Sequence, residues 1–146
     1  MNWQDLVAQR RVAAEPAGRD ELAALGHLVN RCLADAVVEG LSPDGRFERA
    51  YAAARTLATI VVRAEGYRVR QPGAHHSTFL ALEAADRDAY GAFASYFDVC
   101  RVLRNELSYN AADVVTEAEL DELVAVVKQF ARLVAAWLAA RHPELR

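Results

Sequence analysis

A chain of 146 residues with 53% apolar and 25% charged side chains has the balance of one globular domain, too ordered in composition for a disordered segment and too short for two ordinary domains. A formal net charge of −3 with a pI of about 5.8 argues against a general polyanion-binding surface and leaves room for a local basic patch. No uninterrupted apolar run approaches the ~18 residues of a membrane helix, and the start of the chain, with Asp5 and Arg10, lacks the apolar stretch of a signal peptide, so no membrane partner is expected.

With only 7 Gly and 4 Pro, the chain suits long helices. A short first helix is predicted from about Asn2 to Ala14, stopping near Pro16. A second runs from about Gly18 to Val38, where Leu22, Leu25, Leu28, Cys32, Leu33 and Val37 recur at helical spacing and Gly40 supplies a stop. Ser42-Pro43-Asp44 reads as a helix start, with an N-cap, a proline at the first helical position and an acid at the positive end. That third helix carries Phe47, Ala50, Tyr51, Ala54, Leu57, Val61 and Val62 to about Gly66, and its alanine face permits close helix approach. Tyr67 to Gly73 is predicted as a loop, and a shorter fourth helix follows His75-His76-Ser77-Thr78 through Phe79, Leu80, Leu82 and Ala85.

Asp86 caps a fifth helix bearing Tyr90, Phe93, Tyr96, Phe97, Cys100, Leu103 and Leu107, ending near Tyr109-Asn110. Thr116 with Glu119 forms a capping box for the last helix, whose stripe Leu120, Leu123, Val127, Phe130, Val134, Trp137 and Leu138 runs to His142-Pro143. The β-branched runs at 61–62, 114–115 and 126–127 are too short to compete as strands. The expected fold is all-α: one domain over 1–146, an antiparallel bundle of about five to six helices, with the short helix 2–14 ahead of a bundle over about 18–141. Cys32 and Cys100 fall inside helical patterns and far apart, as reduced core thiols of a cytoplasmic protein do.

The polar residues of the fifth helix need a reason. Helical spacing puts Asp98, Arg101, Asn105 and Tyr109 near one row and Arg101, Arg104 and Ser108 on the next. Two guanidinium groups, an amide, a hydroxyl and a phenol converge on one flank, and Asp98 is placed to hold Arg101.

The segment Asp98–Tyr109, with Arg104-Asn105 followed by Tyr109, resembles the signature region of the HEPN superfamily of small helical domains, and the resemblance extends over Phe47–Trp137, including His76-Ser77-Thr78-Phe79. It implies an antiparallel helical bundle, often a homodimer, with RNA or nucleotides as ligands and a protein partner such as a cognate antitoxin. Active members carry an arginine, a polar residue and a histidine four to six residues on. By that pattern Arg104 and Asn105 match the first two, and Tyr109, preceded by Ser108, stands where the histidine belongs. Arginine binds phosphate bidentately without titrating, whereas a phenol with a reference pKa near 10 exchanges protons poorly at neutral pH. If the resemblance extends to activity, Arg104 and Tyr109 are the candidate catalytic residues, Arg104 as the phosphate-binding half of the motif and Tyr109 in place of its acid–base half; members without the histidine are usually non-catalytic RNA-, nucleotide- or partner-binding versions.

Three readings follow. In the first, the chain is a homodimeric HEPN-like bundle of RNA-linked or toxin–antitoxin biology without proven catalysis, in which Asp98, Arg101, Arg104, Asn105, Ser108 and Tyr109 bind RNA or a nucleotide. In the second, His75, His76 or Tyr109 substitutes for the histidine in a metal-independent ribonuclease. In the third, the polar stripe is a buried network inside a dimeric interaction module, which requires Arg101 and Arg104 to be buried and fully paired. The competing view of His75 and His76 is an exposed or capping pair. Arg63, Arg68, Arg70 and Tyr67 suit either a nucleic-acid backbone or, more simply, a solvated loop. Tyr90, Phe93, Tyr96 and Phe97 are read as packing residues rather than a base-stacking platform. No ligand set for a metal and no cofactor motif is apparent, because adjacent histidines do not share a helix face.

Overall fold

The structure, a computed structural model, describes residues 1–109 and 115–146, and the side chains among them except those of 106–109. It is an all-α bundle whose helices are α1 (Trp3–Ala8), α2 (Arg19–Asp35), α3 (Pro43–Ala64), α4 (Ala74–Ala85), α5 (Arg87–Tyr109) and α6 (Glu117–Arg141). A two-stranded antiparallel ribbon of β1 (Val12–Ala14) and β2 (Tyr67–Val69) is added to them.

α3 is the axis on which α2, α4, α5 and α6 pack. Its alanines explain this: Ala50, Ala53, Ala54 and Ala58 are fully buried, and side chains this small let neighbouring backbones approach. Ser42 caps α3, its Oγ accepting the Gly45 amide at 3.1 Å ahead of Pro43 in the first turn. Asp86 caps α5 through the Ala89 amide at 3.0 Å, and Thr116 and Glu119 close a reciprocal capping box on α6. α6 is long and apolar enough to span a membrane by length and composition alone; here its stripe Leu120, Leu123, Val127, Phe130 and Val134 is buried in the bundle. Tyr90, Phe93 and Phe97 pack on Phe130 with ring centroids 5.6, 5.1 and 5.1 Å away, so these α5 aromatics are core residues.

Four local expectations are corrected. The first helix stops at Ala8, not Ala14: Arg10 turns left-handed at φ +58°, and Val12–Ala14 becomes β1. Its partner is the segment expected to be loop, with Val12 opposite Val69, Ala13 opposite Arg68 and Ala14 opposite Tyr67. The pairing lets Val12 and Leu6 bury against Val62 and Ala81, while Trp3 stacks on Tyr67 with centroids 4.1 Å apart. Three-residue strands carry almost no periodicity of their own, so only this burial reveals them. α2 ends at Asp35 rather than near Val38, and Val37 and Val38 stand exposed before Gly40 turns at φ +93°. α4 begins at Ala74 behind Gly73, so His75 and His76 lie inside its first turn rather than before it. Val61, Val62, Val126 and Val127 are helical as expected; Val114 lies outside the described residues.

The basic segment is mostly neutralised. Arg63 is 3% exposed and forks onto Glu21 at 2.6 and 3.2 Å, with further bonds to the carbonyls of Glu15, Pro16 and Tyr67. Arg68 pairs with Glu15 and Glu21. Arg70 alone of the three has no acidic partner among the described residues.

Candidate anion-binding cleft

The first turn of α4, the second half of α5 and the first half of α3 meet at the candidate site. On α5, Asp98 Oδ1 accepts Arg101 Nε at 2.7 Å and meets His76 Nδ1 at 3.0 Å. One turn on, Arg104 lies over the Tyr51 ring with its guanidinium carbon 5.9 Å from the centroid. Its nearest carboxylate, Glu48, is 3.7 Å away, beyond hydrogen-bonding distance. On α3, the Tyr51 hydroxyl meets His75 Nδ1 at 3.1 Å. The two histidines therefore face different elements, His75 toward α3 and His76 toward α5.

Two hollows join here. One, of about 280 Å³, is lined by His75, His76, Arg101, Arg104 and Asn105 together with Gln71, Gly73 and Ala74. The other, of about 240 Å³, is lined by Tyr51, Arg49, Arg55 and Glu48 and shares His75 and Arg104 with the first. Gly73 offers no side-chain cap, and the first helical bond is Ser77 N to the Gly73 carbonyl, which leaves the amides of Ala74, His75 and His76 without partners among the described residues. These open amides, at the positive end of α4, border the first hollow, an arrangement suited to an anion.

The titratable groups report the same field. Burial lowers His75 to about 4, helped by the charges of Arg55, Arg104 and Arg101. Burial raises Tyr51 to about 12, overriding those same arginines. Burial also pushes Asp98 up, but hydrogen bonds from Arg101 and His76 outweigh it and hold the carboxylate below its ordinary range. The Asp98 hydrogen bond in turn raises Arg101. Arg55 Nε is buried without a partner among the described residues. The cleft thus holds a neutral histidine among cations only partly balanced by Asp98 and Glu48.

Of the residues singled out from sequence, Asp98, Arg101, Arg104, Asn105, His75 and His76 come together; the side chains of Ser108 and Tyr109 lie outside the described residues. Within a single chain the Arg101 and Arg104 side chains are 24% and 35% exposed, Arg101 paired to Asp98 and Arg104 3.7 Å from Glu48. His75 is neither an exposed histidine nor a cap, since its ring is engaged by Tyr51. Tyr51, Glu48, Arg49 and Arg55 were not anticipated as site residues. Their signal was present: Glu48, Tyr51 and Arg55 recur three and four apart on one row of an otherwise alanine-rich helix. Cys32 and Cys100 are buried free thiols; burial pushes Cys100 up to about 11, while Cys32 Sγ lies 3.3 Å from Arg49 Nη2.

No family model, no curated protein and no solved structure matches the chain.

Proposed function

We propose that this chain is a HEPN-like RNA-binding domain that takes a backbone phosphate in the cleft between α4 and α5. The observation carrying the reading is the convergence of Arg101 and Arg104 with the open amides of α4 on one hollow. Those amides and Arg104 hold the phosphate, Asp98 orients Arg101, and Asn105 is placed to meet the ribose. A second copy of the chain belongs to the proposal: Val99 and Val102, 68% and 49% exposed, form an apolar ridge on the helix that bears the arginines.

Cleavage is a second reading, favoured by the His76–Asp98 contact. With Nδ1 held on Asp98, Nε2 is the free nitrogen of a ring that lines the hollow. It would take the proton of a ribose 2′-hydroxyl as that oxygen attacks the phosphorus; the P–O5′ bond breaks, the 5′-oxygen takes a proton from water to leave as a hydroxyl, and a 2′,3′-cyclic phosphate remains.

The test is binding of single-stranded RNA across a salt series, with incubation long enough to see products. Loss of a charge-assisted bond of about 1.5–3 kcal/mol lowers affinity by roughly tenfold or more, the expected outcome for Arg104→Ala. Equal affinity of wild type and Arg104→Ala, or no binding by wild type, overturns the binding reading. His76→Gln is expected to bind RNA and to form no cyclic phosphate; undiminished cleavage by that variant removes His76 from the chemistry.

A further inference from the structure

A second basic hollow of about 400 Å³ lies beside the cleft, formed where the α1–β1 turn meets the β2–α4 connection. Arg10, Arg11 and Arg70 line it with Gln9 and Gln71, and no carboxylate is among its lining residues. Gln71 also lines the hollow that holds Arg101 and Arg104, so the two hollows share it as a common wall.

Its construction costs stability. The Arg70 amide donates to the Arg11 carbonyl at 2.8 Å, which places two like charges opposite each other at the end of the ribbon. Arg11 is held by neutral partners only, Gln9 Oε1 at 2.9 Å and Ser77 Oγ at 3.1 Å. Ser77 lies in the first turn of α4, so this guanidinium sits at the positive end of a helix, the wrong end for a cation. Arg10 occupies the left-handed region at φ +58°, unfavourable for a residue with a Cβ and the only such non-glycine among the described residues. An anion in the hollow would offset the two unfavourable charge placements, the facing arginines and the guanidinium at the start of α4. By contrast, Arg63 and Arg68, close by in sequence, are matched to Glu15 and Glu21.

We infer that Arg10, Arg11 and Arg70 form a second phosphate subsite, so that the ligand is a single-stranded RNA running from the α4–α5 cleft past Gln71 onto the ribbon, rather than a mononucleotide. This rests on the RNA-binding reading of the cleft. Neighbouring phosphates of one strand supply the repeated charge that two basic hollows on either side of Gln71 match.

The experiment compares wild type, the double variant Arg10→Gln/Arg70→Gln, Arg68→Gln and Arg104→Ala on a single-stranded RNA of about ten nucleotides over a range of salt. Arg10 and Arg70 are exposed, so their replacement leaves the core intact. Two lost phosphate contacts lower the slope of log affinity against log salt by about 1.4, at about 0.7 per contact on a single strand. That fall in the double variant, with Arg68→Gln at the wild-type slope, is the expected result. A wild-type slope in the double variant while Arg104→Ala loses affinity overturns the subsite and leaves the cleft reading standing. An equal fall in Arg68→Gln also overturns it, because diffuse charge then accounts for the effect. Absence of binding by wild type removes both.

Discussion

His75 holds together two demands at one residue: its ring must accept or donate to the Tyr51 hydroxyl, and it must stay uncharged among Arg55 of α3 and Arg101 and Arg104 of α5. A histidine lowered from 6.5 to about 4 takes up its proton in the unfolded chain before it does in the folded one. Between those pH values the unfolded state binds more protons, so stability falls as pH drops through the window. Asp98 has a depressed pKa, and its contribution is lost at still lower pH, below the ordinary carboxylate value. Urea unfolding of wild type from pH 7 to 4 should therefore show a decline that His75→Gln, which keeps a partner for Tyr51, flattens. Identical pH dependence in both proteins would show that His75 is not the group responsible. An anion in the hollow offsets the arginines and raises the His75 midpoint, visible by NMR titration of its ring.

At the scale of elements, Arg63 ties α3 to both the ribbon and α2. Its five hydrogen bonds reach Glu21, Glu15, Pro16 and Tyr67 while only 3% of the residue is exposed. Removing Arg63 takes donors from three backbone carbonyls, while Glu21 and Glu15, 37% and 48% exposed, stay hydrated, so Arg63→Met is expected to lower unfolding stability by about 2 kcal/mol. Arg63→Lys keeps the charge but not the fork, and should recover only part of that loss. A change under about 1 kcal/mol for Arg63→Met would mean that the ribbon stands without this tie. The starts of α3 and α6 were legible in sequence because their caps involve residues three apart. Arg63 was not legible as a tie, because Glu21 lies 42 positions away and a charge pattern does not name its partner.

For the whole molecule, charge is segregated rather than abundant. A chain of net charge −3 gathers Arg10, Arg11, Arg70, Arg101 and Arg104 around two hollows that share Gln71 and whose linings contain no carboxylate. Overall charge argued against a general basic surface, and what the fold presents is a local track. The Val99–Val102 ridge lies on the same helix, so a dimer built on it would set two such tracks beside a common interface. Wild type is expected to sediment as a dimer and Val99→Glu/Val102→Glu as a monomer; a monomeric wild type would leave the ridge as ordinary exposed surface.

What the sequence by itself determined was the all-α class, the caps of α3, α5 and α6, and the α5 stripe carrying Asp98, Arg101 and Arg104, because helical period and capping are set by residues a few positions apart. Only the tertiary structure decided that Val12–Ala14 pairs with Tyr67–Val69 and that His75 and His76 face Tyr51 and Asp98 respectively. It also decided that Arg63 and Arg68 of the basic segment are neutralised while Arg70 has no acidic partner among the described residues. These outcomes depend on contacts such as Arg11 with Ser77, 66 positions apart, where burial and partner choice rather than local preference set the energy.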